Sequence, residues 1–101
     1  MGQWVKVAMK SEIPDDTGKL VQAGGKEIAL FKVEGKVCAI YSICPHQGGP
    51  LDEGGLEGKT VTCPWHGWQF DVTTGVSEFN PSIKQPTFKV KEEGNDIHVE
   101  V

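Results

Sequence analysis

CPHQGGPLDEGGLEGKTVTCPWHGWQFDVTTG, residues 44–75, contains two of the chain's three cysteines and two of its three histidines. They fall in two short echoes, CPHQGG (44–49) and CPWHGW (63–68). The proline after each cysteine biases that cysteine toward extended backbone and removes an amide donor. Gly48, Gly49 and Gly67 then permit positive φ and let backbone N–H groups approach an anionic centre closely. The spacing is Cys44, one residue, His46; sixteen residues; Cys63, two residues, His66. Two Cys and two His suit a zinc ion, a mixed-ligand iron–sulfur cluster or a Cys–His catalytic pair. Zinc fingers usually place like ligands together in one knuckle. Here each loop supplies one of each type, and a single residue between Cys44 and His46 is tight for two ligands of one ion. In a two-iron site each loop gives its Cys to one iron and its His to the other. The order favours a cluster over zinc.

Outward from this stretch the pattern is that of β-structure. Val5, Val7 and Met9 alternate with Trp4, Lys6 and Ala8, which predicts a half-buried strand. KEIALFKVE (26–34) and KVCAIYS (36–42) flank Gly35, and TFKVKEE (87–93) and DIHVEV (96–101) flank Gly94 and Asn95, which predicts two hairpins. SEIPDD (11–16) allows at most one helical turn. Five of the six prolines and seven of the thirteen glycines lie between Ser42 and Pro86. The strands expected there are short, Thr60 to Thr62 and Trp68 to Val72. The pattern predicts a loop-rich subdomain inserted into an all-β base.

With 101 residues, 38% hydrophobic and 24% charged, the chain suits one small globular domain. Ten lysines, no arginine and fourteen acids give a formal charge of −4, without the basic footprint of a nucleic-acid binder. Such a charge favours steering toward partners with basic docking surfaces. No apolar run approaches the ~20 residues that cross a bilayer, and no membrane association is expected. MGQWVKVAMKSE lacks the apolar segment of a secretory signal, so the expected compartment is the cytoplasm. Three cysteines cannot complete a disulfide framework, and a reducing compartment would not keep one.

Cys-X-His followed sixteen residues later by Cys-X2-His resembles the Rieske [2Fe–2S] family, in which two His replace two Cys on one iron. The likeness covers effectively the whole chain, including the later NPSIKQP (80–86), and is to Rieske-type ferredoxins. It implies that Cys44 and Cys63 bind the inner iron and that His46 and His66 bind the outer iron near the surface, one cluster per chain. The implied fold is all-β: a small antiparallel β-sandwich or barrel-like base (about 1–42 and 87–101). It carries a cluster-binding subdomain (about 43–86) of three loops, the third around Asn80 to Pro86.

The implied role is a free-standing one-electron carrier, an electron-transfer component of a dioxygenase system and not itself an enzyme. It passes electrons from a flavin-dependent NAD(P)H reductase to a terminal oxygenase, both docking transiently near the His46/His66 tip. An oxygenase also needs a mononuclear iron held by two His and a carboxylate, and only His98 remains for it. The respiratory subunit carries a disulfide between its two loops, and the matching positions here are Gly49 and Trp65. The alternatives are a small subunit of a nitrite reductase, which often lacks the ligands, and, more remotely, a Cys2His2 zinc-binding interaction module. High-potential members carry Ser and Tyr donors where this chain has Trp68 and Phe70, which implies a potential in the lower part of the family range. Cys38, inside a strand, reads as a buried apolar cysteine. His98 reads as solvent-facing beside Glu100. Trp65 and Trp68 read as loop packing that also shields the site from water or meets a redox partner.

Overall fold

The structure is a computed structural model that describes residues 3–43, 50–65, 67–78 and 80–101. Its strands are β1 (Trp4–Met9), β2 (Lys19–Ala23), β3 (Lys26–Val33), β4 (Lys36–Tyr41), β5 (Gly55–Glu57), β6 (Thr60–Thr62), β7 (Gln69–Asp71), β8 (Thr87–Phe88), β9 (Val90–Glu93) and β10 (Asp96–Glu100). All pairings are antiparallel, in three sheets ordered β1-β10-β9, β2-β3-β4-β8 and β5-β6-β7. The described residues contain no α-helix, only two 3-10 turns, at Lys10–Glu12 and Leu51–Glu53.

The sheet β2-β3-β4-β8 is buried on both faces because strand side chains alternate. Ile28 and Leu30 of β3 enter a core with Val21, Val37, Ala39, Ile97 and Val99, facing β1 and β10. Their neighbours Ala29 and Phe31 enter a second core with Ile40, Leu51, Val61, Cys63, Phe70 and Val72, facing the small β5-β6-β7 sheet. The apolar run IALF is therefore the mark of a strand between two layers.

Both predicted hairpins form. Glu34 and Gly35 have positive φ (51° and 82°) in a two-residue connection, as a type I′ turn requires. The predicted strand 87–93 divides at Lys89. β8 pairs with β4 while β9 pairs with β10, so this segment passes from one sheet to the other and ties the base together. In β1 a register shift between Lys6 and Ala8 interrupts the alternation. Ala8 consequently turns inward and Met9 is 41% exposed. The helical turn expected over 11–16 is a single 3-10 turn at Lys10–Glu12, closed by the Glu12 carboxylate accepting the Met9 N–H at 2.9 Å. β2 and β5 had no strand signal in the sequence reading.

No helix among the described residues is long and apolar enough to cross a membrane.

Candidate metal centre

β6 ends at Thr62, and Cys63 follows with only 1% of its surface exposed, inside the second core. Its N–H donates to the Trp68 carbonyl at 2.6 Å, so the segment 63–68 closes on itself before β7 begins. Pro64 directs the chain away from the core and Gly67, at φ 73°, turns it back. Trp65, between them, is 49% exposed. The loop thus has a sheltered sulfur at its root and an exposed indole toward its tip. The Trp68 ring tilts against Phe70, with centroids 6.4 Å apart, and Phe70 is fully buried beneath.

The first loop is anchored at both ends. Ile43 and Pro50 form an antiparallel bridge, and the Leu51 N–H donates to the Ser42 carbonyl at 2.7 Å. The Ser42 hydroxyl donates to Asp52 Oδ1 at 2.7 Å, and the Asp52 carbonyl accepts the Gly18 N–H and the Thr17 hydroxyl, both at 3.0 Å. The roots of the two loops also meet: a Cβ on Gly54 would lie 2.2 Å from the Thr62 carbonyl oxygen. Only glycine allows that approach.

The third loop folds on its own polar groups. The Asn80 side chain accepts the Ser82 N–H at 3.0 Å, and the Asn80 carbonyl accepts the Ile83 N–H at 2.9 Å. It is tied back toward β7 by backbone bonds: the Ser77 N–H donates to the Ile83 carbonyl at 2.9 Å and the Gln85 N–H to the Gly75 carbonyl at 2.6 Å. In the turn after β7 the Asp71 carboxylate accepts from the Thr73 amide at 2.8 Å and from the Thr73 hydroxyl and lies 3.4 Å from Lys59 Nζ. Burial pushes the Asp71 carboxyl up, but the two Thr73 donors and Lys59 outweigh it, and the net displacement is below the usual range.

Of the four residues singled out by spacing, Cys63 stands in the second core. Cys44, His46 and His66 lie outside the described residues. Cys38 is half-buried rather than enclosed. It packs against the second core and borders a cleft of about 210 Å³ with Val72, Thr73 and Phe88. Burial pushes its thiol up, Asp71 and Glu92 add to this, and Lys36 opposes it.

His98 is not the solvent-facing residue expected. β10 is the central strand of its sheet, and His98 lies between Lys6 and Lys91 across the pairing with its side chain only 20% exposed. Its Nδ1 has no hydrogen-bond partner among the described residues and lies 3.8 Å from Glu93 Oε1. Nothing in the alternation DIHVEV distinguishes an outward face open to water from one screened by long neighbouring side chains. Gln85, Ser42 and Asp52, which fix the roots of the loops, carried no signal in the sequence either.

Residues 3–92 match the model of the family described as the Rieske [2Fe-2S] domain. The chain is 38% identical over 89 residues to the ferredoxin component of the naphthalene 1,2-dioxygenase/salicylate 5-hydroxylase systems of Ralstonia sp, covering 87% of this chain and 86% of that one. Among solved structures it is similar to one of reduced oxygenase and oxidised ferredoxin in complex in carbazole 1,9a-dioxygenase. That match has a TM-score of 0.85 and 28% identity, with 95% of this chain and 91% of that chain covered. A chain assigned as the small subunit of an NADH-dependent nitrite reductase from Mycobacterium tuberculosis shares the fold, with a TM-score of 0.91. The identity there is 20%, over 100% and 96% of the two chains.

The described part of the site fits a [2Fe–2S] group. Cys63 offers a soft thiolate, the type of ligand iron–sulfur clusters select, at a position screened from water by Leu51, Val61 and Phe70.

Proposed function

Because the chain belongs to the Rieske [2Fe–2S] domain family, with a [2Fe–2S] cluster as its cofactor, we propose that it is a one-electron carrier between a flavin-dependent NAD(P)H reductase and a terminal oxygenase. Cys44 and Cys63 would hold the inner iron and His46 and His66 the outer one, a single cluster per chain. When bound, the cluster supplies a site that gains and returns one electron. The chain's own residues hold that site in one geometry and exclude water from its inner side. The observation that carries the reading is the near end-to-end match at 38% identity to a dioxygenase ferredoxin component. The course of the 63–68 loop supports it, from a buried Cys63 to an exposed Trp65 beside His66, because transfer to a docked partner needs one ligand pair sheltered and the other near the surface. In the same reading, residues about 43–86 form the cluster-binding subdomain of a single domain, the compartment is the cytoplasm, and both partners dock at the His46/His66 tip.

Neither Trp68 nor Phe70 offers the cluster a hydroxyl, and donors to the sulfurs stabilise the reduced, more negative state. The potential therefore belongs in the lower part of the family span of roughly −150 to +300 mV. Redox titration of the purified protein tests this: a midpoint above about +150 mV would place it with the respiratory members and contradict the ferredoxin role. The nitrite reductase likeness rests on fold alone.

A further inference from the structure

Gln85 is 2% exposed, in a loop whose other polar side chains mostly face water. A buried primary amide is costly unless both N–H groups find acceptors. Here they do: Nε2 donates to the Tyr41 carbonyl at 2.8 Å and to the Ile43 carbonyl. These two carbonyls are two residues apart at the end of β4, so they point the same way, and one NH2 group spans them. Ile43 immediately precedes Cys44. The backbone of the same residue reaches the other ligand loop's scaffold. The Gln85 N–H donates to the Gly75 carbonyl at 2.6 Å, four residues past β7. A Cβ on Gly75 (φ 81°) would lie 2.1 Å from the Gln85 carbonyl oxygen. The neighbouring Pro86 carbonyl accepts the Tyr41 N–H at 2.9 Å.

From these contacts we infer that Gln85 is a positioning residue for the cluster, fixing the direction in which the chain leaves β4 toward Cys44 relative to the frame that carries Cys63. The inference rests on the carrier reading above. Gln85 need not touch the cluster. It sets the relation between two loop roots, and the geometry of ligation follows from that relation. Glutamine suits the place because the position requires two donors on one atom. A carboxylate there would face two carbonyl oxygens, and an apolar side chain would leave both without a donor.

The test uses the cluster-loaded protein and two variants. Gln85→Met nearly conserves volume and removes both donors. Its cluster should bleach in the presence of a chelator about tenfold faster or more. The reduced protein should show altered electron paramagnetic resonance g-values and a shifted midpoint potential, with amide exchange in β3 unchanged. Bleaching within about twofold of wild type with identical g-values would overturn the inference. Gln85→Glu supplies a second arm, decisive should the Met variant not fold. A protonated Glu retains one donor and an ionised one retains none. Its bleaching rate relative to wild type should therefore rise several-fold from about pH 5 to about pH 8, and a flat ratio would overturn the inference. A wild-type protein without a [2Fe–2S] cluster overturns both this inference and the carrier reading. A loaded wild type indifferent to both substitutions overturns this inference alone.

Discussion

The β2-β3-β4-β8 sheet has an apolar core on each face, whereas the β5-β6-β7 sheet, with three residues in each strand, has a core on one. The larger sheet orders itself through burial: Ile28, Ala29, Leu30 and Phe31 are all fully enclosed and serve the two cores alternately. The smaller sheet has too little area for that. Three-residue strands are below the usual length, and a sheet of this kind depends on packing against something else. What it packs against is Phe31 and Ile40 on one side, and among the described residues the loop roots around it are held by backbone hydrogen bonds such as Leu51 N–H to Ser42 and Cys63 N–H to Trp68. A bound cofactor therefore matters unequally to the two sheets. Bound metal adds folding energy wherever its site is absent from the unfolded chain, and with the proposed ligands that contribution would fall on the small sheet.

Removing a sulfur should separate the two sheets most strongly. Cys63→Ser and Cys44→Ser should each abolish cluster binding, measured as iron content and visible colour, because serine oxygen is a poor match for iron that prefers thiolate. Hydrogen exchange in Cys63→Ser should then show lost protection at Val61 and Phe70 with β3 amides still protected. Equal loss in both sheets would mean that the base depends on the cluster too. Loss of colour in Cys38→Ala but not in Cys44→Ser would overturn the ligand assignment.

A sharper version uses two adjacent residues on opposite faces of β3. Leu30→Ala should cost about 2–5 kcal/mol and Phe31→Ala about 3–5 kcal/mol in denaturant unfolding. Only Phe31→Ala, on the face toward Cys63, should also hasten cluster loss at a temperature where both variants are folded. If Leu30→Ala hastened it equally, the two cores would not be separable.

The third prediction concerns Asp71, at the end of β7. Its folded pKa lies below the unfolded value, so its stabilisation is fully present above the unfolded pKa and is lost as pH falls through the folded one. The window lies at and below about pH 4. Asp71→Asn should lower Tm near neutrality and flatten the acid limb of the Tm–pH curve. An acid limb parallel to wild type would show that Asp71 contributes nothing to it.

The smallest effect is expected at Cys38. Its thiol is raised and half-buried, so the loaded protein should react slowly with iodoacetamide at neutral pH and faster as pH rises. Cys38→Ala should leave iron content unchanged. Rapid labelling at pH 7 would show that the cleft beside Val72 and Thr73 is more open than its geometry indicates.

How much of this was legible in the sequence follows the same division. Alternation announced the two hairpins of the base, because a half-buried strand writes its period of two into its residues. It did not reveal the register shift in β1 between Lys6 and Ala8, which no residue type marks. It also merged β8 and β9, since a strand that changes sheets at Lys89 keeps its alternation. In the small sheet the short strands β6 and β7 were expected and β5 was not, while two Cys-Pro echoes with a histidine in each supplied the candidate ligands by their chemistry. Gln85 was invisible because its importance lies in the two carbonyls it reaches, and those belong to residues more than forty positions earlier.

The proposed function stands on mixed ligation of one [2Fe–2S] cluster by Cys44, His46, Cys63 and His66. Its most direct test is pulsed electron paramagnetic resonance on the reduced protein, prepared with natural and with 15N-labelled histidine. The expected result is a signal from one unpaired electron coupled to two histidine nitrogens, with that coupling altered by the label. It should fall to one nitrogen in whichever of His46→Cys and His66→Cys retains a cluster. A signal insensitive to the label, or a colourless protein holding one zinc ion, would contradict the account.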